Sequence, residues 1–129
     1  MIRGEHKLIE NVTWKDVEDY INALENLTSS SYKFTGVYGL PRGGLVLAVM
    51  LSHRLSIPLL AAPTNGCLIV DDICDSGESL IHYVKNSSGN DTKLYYISTM
   101  YYKQGASVTP NFYYKEKDDK WIVFPWESK

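Results

Sequence analysis

Residues 68–79 read Leu-Ile-Val-Asp-Asp-Ile-Cys-Asp-Ser-Gly-Glu-Ser. An apolar run of strand character ends in two adjacent carboxylates, and a turn of small polar residues follows where a helix would begin. In open α/β folds, ligands bind outside the carboxyl ends of the strands. Asp71 and Asp72 therefore fall at such an edge, where carboxylates accept hydrogen bonds from vicinal ribose hydroxyls. The turn Asp75-Ser76-Gly77-Glu78-Ser79 adds successive backbone N–H groups, two hydroxyls and a helix N-terminus whose partial positive charge favours an anion. Together they suit a sugar phosphate, its monophosphate in the turn. The same residue types also make ordinary strand ends, turns and helix caps, so a purely structural role stays open at this point.

The surrounding pattern supplies the sheet. Thr13 and Asp16 have the spacing of a capping box, and Trp14, Val17, Ile21, Leu24 and Leu27 recur at helical spacing, so a helix is expected over about 13–27. Thr28-Ser29-Ser30-Ser31 ends it. Phe34 to Gly39 reads as a strand, Leu45 to Leu55 as a helix, Ile57 to Ala62 as a strand and Cys67 to Asp72 as the central strand. Thr64-Asn65-Gly66 is a tight turn that suggests a locally antiparallel pair. Glu78 to Lys85 predicts a short helix, Ser87 to Asp91 a loop, and Lys93 to Tyr101 a further strand. The alternation of strands and helices argues for an α/β fold with a mostly parallel sheet flanked by helices. Short aromatic strands within Asn111–Glu127 are expected to form a small cover over the ligand edge.

The 129 residues, 44% of them hydrophobic, suffice for one domain and leave no room for a second. Thirteen basic against fifteen acidic residues, without a basic cluster, argue against nucleic acid as a partner. The N-terminus has no apolar core of signal-peptide length and no stretch approaches a membrane span, so a cytoplasmic protein with no membrane partner is expected. On that expectation the sequons at Asn11, Asn26, Asn86 and Asn90 mark only exposed polar turns. Cys67 and Cys74 lack the spacing of a metal or redox pair and read as reduced packing residues.

Gly39-Leu40-Pro41-Arg42-Gly43-Gly44 follows the first strand of the sheet directly. Its glycines let backbone approach a ligand, and Arg42 offers a cationic fork suited to a diphosphate. A strand-to-helix turn with an incidental arginine is the plainer alternative. Lys103 and Trp121 lie further on. A cation can meet a carbonyl oxygen and an indole face can lie against a flat heterocycle, although a solvated lysine and a core tryptophan fit the same residues.

These motifs jointly resemble the type I phosphoribosyltransferases. Residues 71–79 resemble the family's signature for 5-phosphoribosyl-1-pyrophosphate (PRPP), two acids followed by D-[ST]-G-x-[ST]. Arg42-Gly43-Gly44 resembles its pyrophosphate loop. Trp121-Ile122-Val123-Phe124-Pro125-Trp126-Glu127 is similar to the W-x-x-x-P-W-[DE] tail of bacterial xanthine-guanine enzymes. The likeness spans roughly residues 34–127. It implies a Rossmann-like fold of one domain, with a core over about 34–103 and a C-terminal hood from about 104–129 joined by part of the N-terminus. It also implies an enzyme of purine salvage that moves the phosphoribosyl group of PRPP to guanine, xanthine or hypoxanthine and releases pyrophosphate.

Carried over residue by residue, the resemblance assigns the ribose and phosphate of PRPP to Asp71, Asp72, Asp75, Ser76, Gly77, Glu78 and Ser79, with Glu78 contributing backbone only. Pyrophosphate falls to Arg42, Gly43 and Gly44, and the purine to Lys103, Trp121 and the backbone near Ile122. Asp75 becomes the general base. A Mg2+ cofactor is implied, held indirectly by Asp71 and Asp72 through PRPP or water, as is a homo-oligomer. One departure stands out: where family members carry a long loop that closes over the reacting centre, this chain has only Thr64-Asn65-Gly66. A lost lid removes orientation and protection from water. It leaves a second reading, a regulatory protein of the same fold that binds PRPP or a nucleotide without turnover.

Overall fold

The capping box forms as expected. Asp16 N–H donates to Thr13 Oγ1 at 3.1 Å, and Thr13 N–H donates to Asp16 Oδ2 at 2.9 Å. After β1 (Ile9–Asn11), this cap starts α1 (Trp14–Thr28), which buries Val17, Tyr20, Ile21, Leu24 and Thr28. Leu27, counted on the apolar face by spacing, is half exposed at the frayed end of that stripe. The computed structural model describes residues 8–85 and 94–127. The expected loop 87–91, Lys93, and the sequons at Asn86 and Asn90 lie outside the described residues.

Strand β2 (Val37–Gly39) leads through Arg42 into α2 (Gly43–Leu55). Strand β3 (Leu68–Cys74) leads through the Asp75 turn into α3 (Glu78–Lys85), and β4 (Tyr96–Tyr102) is followed by β5 (Phe112–Glu116) and β6 (Trp121–Val123). The main sheet has the order β2-β3-β4-β5, and every pairing in it is parallel. One face packs on α1 and α2 through Tyr20, Leu24, Leu47, Leu51, Val70 and Met100. The other meets α3 through Leu40, Ile69, Cys74, Leu80 and Ile97. The fold is thus α/β, a parallel sheet flanked by helices, and β3 is an interior strand whose carboxyl end opens between α2 and α3.

Four expectations need correction. The strand expected over 34–39 begins only at Val37, because Thr35 turns aside to hydrogen-bond with Gly66 O and Asn65 O. The strand expected over 57–62 shrinks to a single parallel bridge between Leu59 and Val37: Pro58 O accepts from Val37 N–H and Leu60 N–H donates to Val37 O, but Pro58 has no donor to extend the ladder. No antiparallel pair forms at Asn65-Gly66. The turn is real, yet Leu59 lies on one edge of β2 and β3 on the other, so the chain crosses over β2 instead of folding back on itself. Asn65 instead clamps the entry to β4, its Oδ1 accepting Leu94 N–H at 2.6 Å.

The fourth correction concerns the hood. β5 comes from the stretch expected to cover the site, but it joins the main sheet as the edge strand beside β4. The separate cover is a two-stranded parallel pair of β1 with β6, Glu10 standing opposite Ile122. Tyr96, Tyr101 and Tyr102 of β4 are core residues. Among the described residues, no helix is long and apolar enough to cross a membrane. Cys67 and Cys74 are free and buried.

Candidate active site

Asp71 and Asp72 lie half buried in the carboxyl-terminal half of β3, which runs on to Cys74, two residues past the expected end at Asp72. Each carboxylate turns back on the next peptide: Asp72 N–H donates to Asp71 Oδ1 and Ile73 N–H to Asp72 Oδ1, both at 2.8 Å. Burial, reinforced by the neighbouring Asp72 charge, pushes the Asp71 carboxyl up to about 8. Asp71 therefore holds its proton near neutral pH. Burial likewise raises the nearby Cys74 thiol to about 11, which keeps it an inert packing group.

Each carboxylate lines a cavity of its own. The first, about 100 Å³, is lined by Asp71, Ile73, Cys74 and the turn from Asp75 to Leu80. Gly77 shapes it. Its φ of +87° is one that side chains rarely adopt, and an added Cβ would collide with Ser107 and the Val108 backbone. The turn is braced from the β4–β5 connection, since Ser107 N–H and Oγ both donate to Ser76 O, at 2.8 and 3.0 Å. Asp75, Ser76, Glu78 and Ser79 remain exposed at the mouth. This is a helix N-terminus with a rigid, hydroxyl-bearing approach, the geometry for a small anion.

The second cavity, about 460 Å³, is lined by Arg42, Gly43, Val46, Asp72, Trp126 and Glu127. Gly43 opens α2 directly against Asp72. A Cβ there would overlap the carboxylate, lying 2.9 Å from Oδ1 and nearer still to Oδ2 and Cγ. The Pro41–Arg42 peptide is cis. Gly44, expected to face pyrophosphate, is buried, and its N–H is already taken by Leu40 O at 2.8 Å. It serves the close packing of α2 on β3.

The remaining sequence-derived residues are placed less tightly. Lys103 is exposed just beyond β4, its N–H donating to Cys74 O at 2.9 Å, which sets it beside the start of the Asp75 turn. Trp121 is 63% exposed on β6, so it is not the core residue that its type suggests, but it lines neither cavity. The Ile122 side chain is buried, leaving only its backbone available to a ligand. Glu127 stands in the sequence only as the last letter of the W-x-x-x-P-W-[DE] tail. The structure places it in the lining of the same cavity as Arg42, its Oε1 accepting Phe124 N–H at 2.9 Å. An acid six residues past Trp121, just after a Pro-Trp turn, was the available signal.

Among the described residues, no group of three or more His, Cys, Asp or Glu gathers to cage a metal. The pair at the end of β3 fits a different arrangement, a hard cation that keeps water and phosphate oxygens and takes little from the protein.

No protein-family model matches the chain. Among curated proteins, the xanthine-guanine phosphoribosyltransferase of Cereibacter sphaeroides is 30% identical over 159 residues, covering 97% of this chain and 90% of the relative. The protein of the same name from Nitratidesulfovibrio vulgaris is 24% identical over 144 residues, covering 92% and 84%. Among solved structures, the purine phosphoribosyltransferase of Pyrococcus horikoshii Ot3 matches with a TM-score of 0.79 at 30% identity, over 94% of this chain and 95% of that one. The chain belongs to the type I phosphoribosyltransferases, a family of glycosyl-transferring enzymes whose fold it shares. Within that family it stands with the 6-oxopurine branch, to which the xanthine-guanine relatives belong. The Nitratidesulfovibrio match runs longer than this whole chain, in keeping with segments it lacks, whereas the Pyrococcus protein is of nearly the same extent.

Proposed function

We propose that the protein is a cytoplasmic purine phosphoribosyltransferase that joins the phosphoribosyl group of PRPP to a ring nitrogen of guanine, xanthine or hypoxanthine and releases pyrophosphate. The observation that carries the reading is that adjacent carboxylates of one strand, Asp71 and Asp72, line two unlike cavities. A monophosphate fits the small cavity at the start of α3, and ribose hydroxyls reach Asp71 and Asp72. The diphosphate then extends into the larger cavity toward Arg42. Names of the relatives support a purine as acceptor.

The anomeric carbon gains oxocarbenium character as the diphosphate leaves, so the protein's work is positioning and neutralisation of charge. Arg42 pairs with the departing diphosphate. Mg2+ arriving with PRPP would supply the remaining positive charge, and its fit rests on Asp71 and Asp72 at the ribose with Asp72 and Glu127 facing the larger cavity. Asp75, exposed at the mouth of the small cavity, accepts the proton that the purine nitrogen loses as the new bond forms. Lys103 beside that turn is available to the purine's exocyclic oxygen, and the open face of Trp121 to its ring. Self-association, usual in the family, belongs to the same proposal.

The test is a panel of bases supplied with PRPP and Mg2+. Nucleotide should form from at least one 6-oxopurine and from neither adenine nor a pyrimidine. Asp75→Asn should lower kcat by about 10²-fold or more while leaving PRPP affinity nearly unchanged. Unchanged turnover in that variant removes Asp75 from the mechanism, and a pyrimidine nucleotide as the main product overturns the purine assignment.

A further inference from the structure

The hood is a pair of three-residue strands, too short to hold a fixed position by its own hydrogen bonds. Ile122 and Phe124 bury their side chains beneath it, but apolar burial is non-directional and leaves lateral position loosely set. A polar link supplies direction. Glu10 on β1, opposite Ile122 in register, accepts the Tyr101 hydroxyl at 2.7 Å and Lys115 Nζ at 3.0 Å, both on Oε2. Tyr101 lies on β4 and is only 1% exposed, and Lys115 lies on β5. One carboxylate of the hood is thus held by two strands of the main sheet. The exposed ion pair by itself is worth little, whereas a buried hydroxyl donating to a carboxylate is a strong, directional bond.

The Tyr101 ring makes a second connection. It meets Phe124 edge-on with centroids 5.9 Å apart, and Phe124 stacks on Trp126 at 4.9 Å, a wall of the larger cavity. Lys103 follows two residues later. A single core side chain therefore lies between the hood strand that carries Trp121 and the strand end that carries Lys103.

We propose that Tyr101, with Glu10 as its acceptor and Lys115 as the counter-charge, is a positioning residue for the purine: it sets the placement of β6, and so of Trp121 and the Ile122 backbone, over the reacting centre. This rests on the base site described under the proposed function. Tyr101 touches no substrate. Its hydroxyl acts through β1 and β6, so its loss falls on the purine and spares PRPP, whose contacts lie on β3, the Asp75 turn at the start of α3, and α2.

Three variants test it. Tyr101→Phe keeps the ring against Phe124 and removes only the hydroxyl, Glu10→Ala removes the acceptor, and Glu10→Gln restores an acceptor oxygen without the charge. Separate KM values for purine and PRPP are measured, together with amide exchange of residues 121–123. In Tyr101→Phe and Glu10→Ala the purine KM should rise roughly tenfold, with the PRPP KM changed by less than about twofold. Exchange in β6 should quicken, and Glu10→Gln should recover most of the loss. Equal changes in both KM values, no change in either, or a Glu10→Gln variant as poor as Glu10→Ala would overturn the proposal. Failure of the base-site reading is separable: the unaltered protein would then transfer to no purine, before any variant is compared.

Discussion

Replacing Gly43 with alanine puts a methyl group into the volume now held by the Asp72 carboxylate. The added carbon would lie 2.9 Å from Asp72 Oδ1 and closer to its other two atoms, against an ordinary contact distance of 3.4 Å or more. The carboxylate therefore has to move by roughly 1 Å, a misplacement of the size that costs on the order of 10²-fold in rate. That fall in kcat/KM for PRPP corresponds to about 2.7 kcal/mol. The fold should barely register the change. Asp72 is half buried beside a cavity into which it can rotate, and alanine improves helix propensity by up to about 1 kcal/mol, so stability should stay within about 1 kcal/mol of the parent.

The assay is a double-mutant cycle of Gly43→Ala and Asp72→Ala, each variant measured by initial rates against PRPP and by thermal melting. If the methyl acts through Asp72, the double variant should be no worse than Asp72→Ala alone, a coupling equal to the whole Gly43→Ala loss of about 2.7 kcal/mol. Losses that simply add would show that Gly43 and Asp72 serve PRPP independently. A melting temperature lowered by more than about 10 °C would show that Asp72 cannot yield. Either outcome refutes the reasoning.

Asp71 makes a pH prediction. Its carboxyl holds a proton up to about 8 in the folded protein, because burial and Asp72 disfavour its charge, and releases it near 4 when unfolded. Its favourable contribution is thus complete below about pH 4 and is lost as pH rises toward 8, so Asp71→Asn should gain stability relative to the parent between those values. Parallel denaturation profiles at pH 5 and 8.5 would contradict this. The same ionisation should strengthen binding of Mg2+ with PRPP as pH climbs through 8, measured by calorimetry. Tyr20→Phe leaves buried Ser98 Oγ without its 2.6 Å partner and should cost about 1–2 kcal/mol, read as a melting shift of several degrees. Adding Ser98→Ala should recover part of the loss, because the stranded hydroxyl is then gone; no recovery would place the cost elsewhere.

The parts of this protein legible in its sequence are those whose physics is local. The Thr13/Asp16 box starts α1, α3 begins at Glu78 because Asp75-Ser76-Gly77 turns the chain, and an all-apolar Leu68-Ile69-Val70 belongs in an interior strand. What stayed hidden depends on partners distant in sequence. Leu59 has strand-forming neighbours, but Pro58 denies it a ladder, and only the position of β2 shows which edge it meets. Phe112 to Glu116 reads as one more aromatic strand, and nothing local distinguishes a cover from the edge of the main sheet. At the site, Arg42, Asp71, Asp72 and the Asp75 turn were visible because each motif is contiguous. Glu127 and the bond from Tyr101 to Glu10 were not, since they join residues up to 91 positions apart.

The proposed reaction is phosphoribosyl transfer by a chain with only Thr64-Asn65-Gly66 where the family carries a long closing loop. The direct measurement follows nucleotide and pyrophosphate together, in one reaction of the protein with PRPP, Mg2+ and a 6-oxopurine. Equal amounts of the two products, rising at the same rate, are the predicted result. Pyrophosphate without nucleotide would mean that water takes the place of the purine, and neither product from a protein that still binds PRPP would contradict transfer altogether.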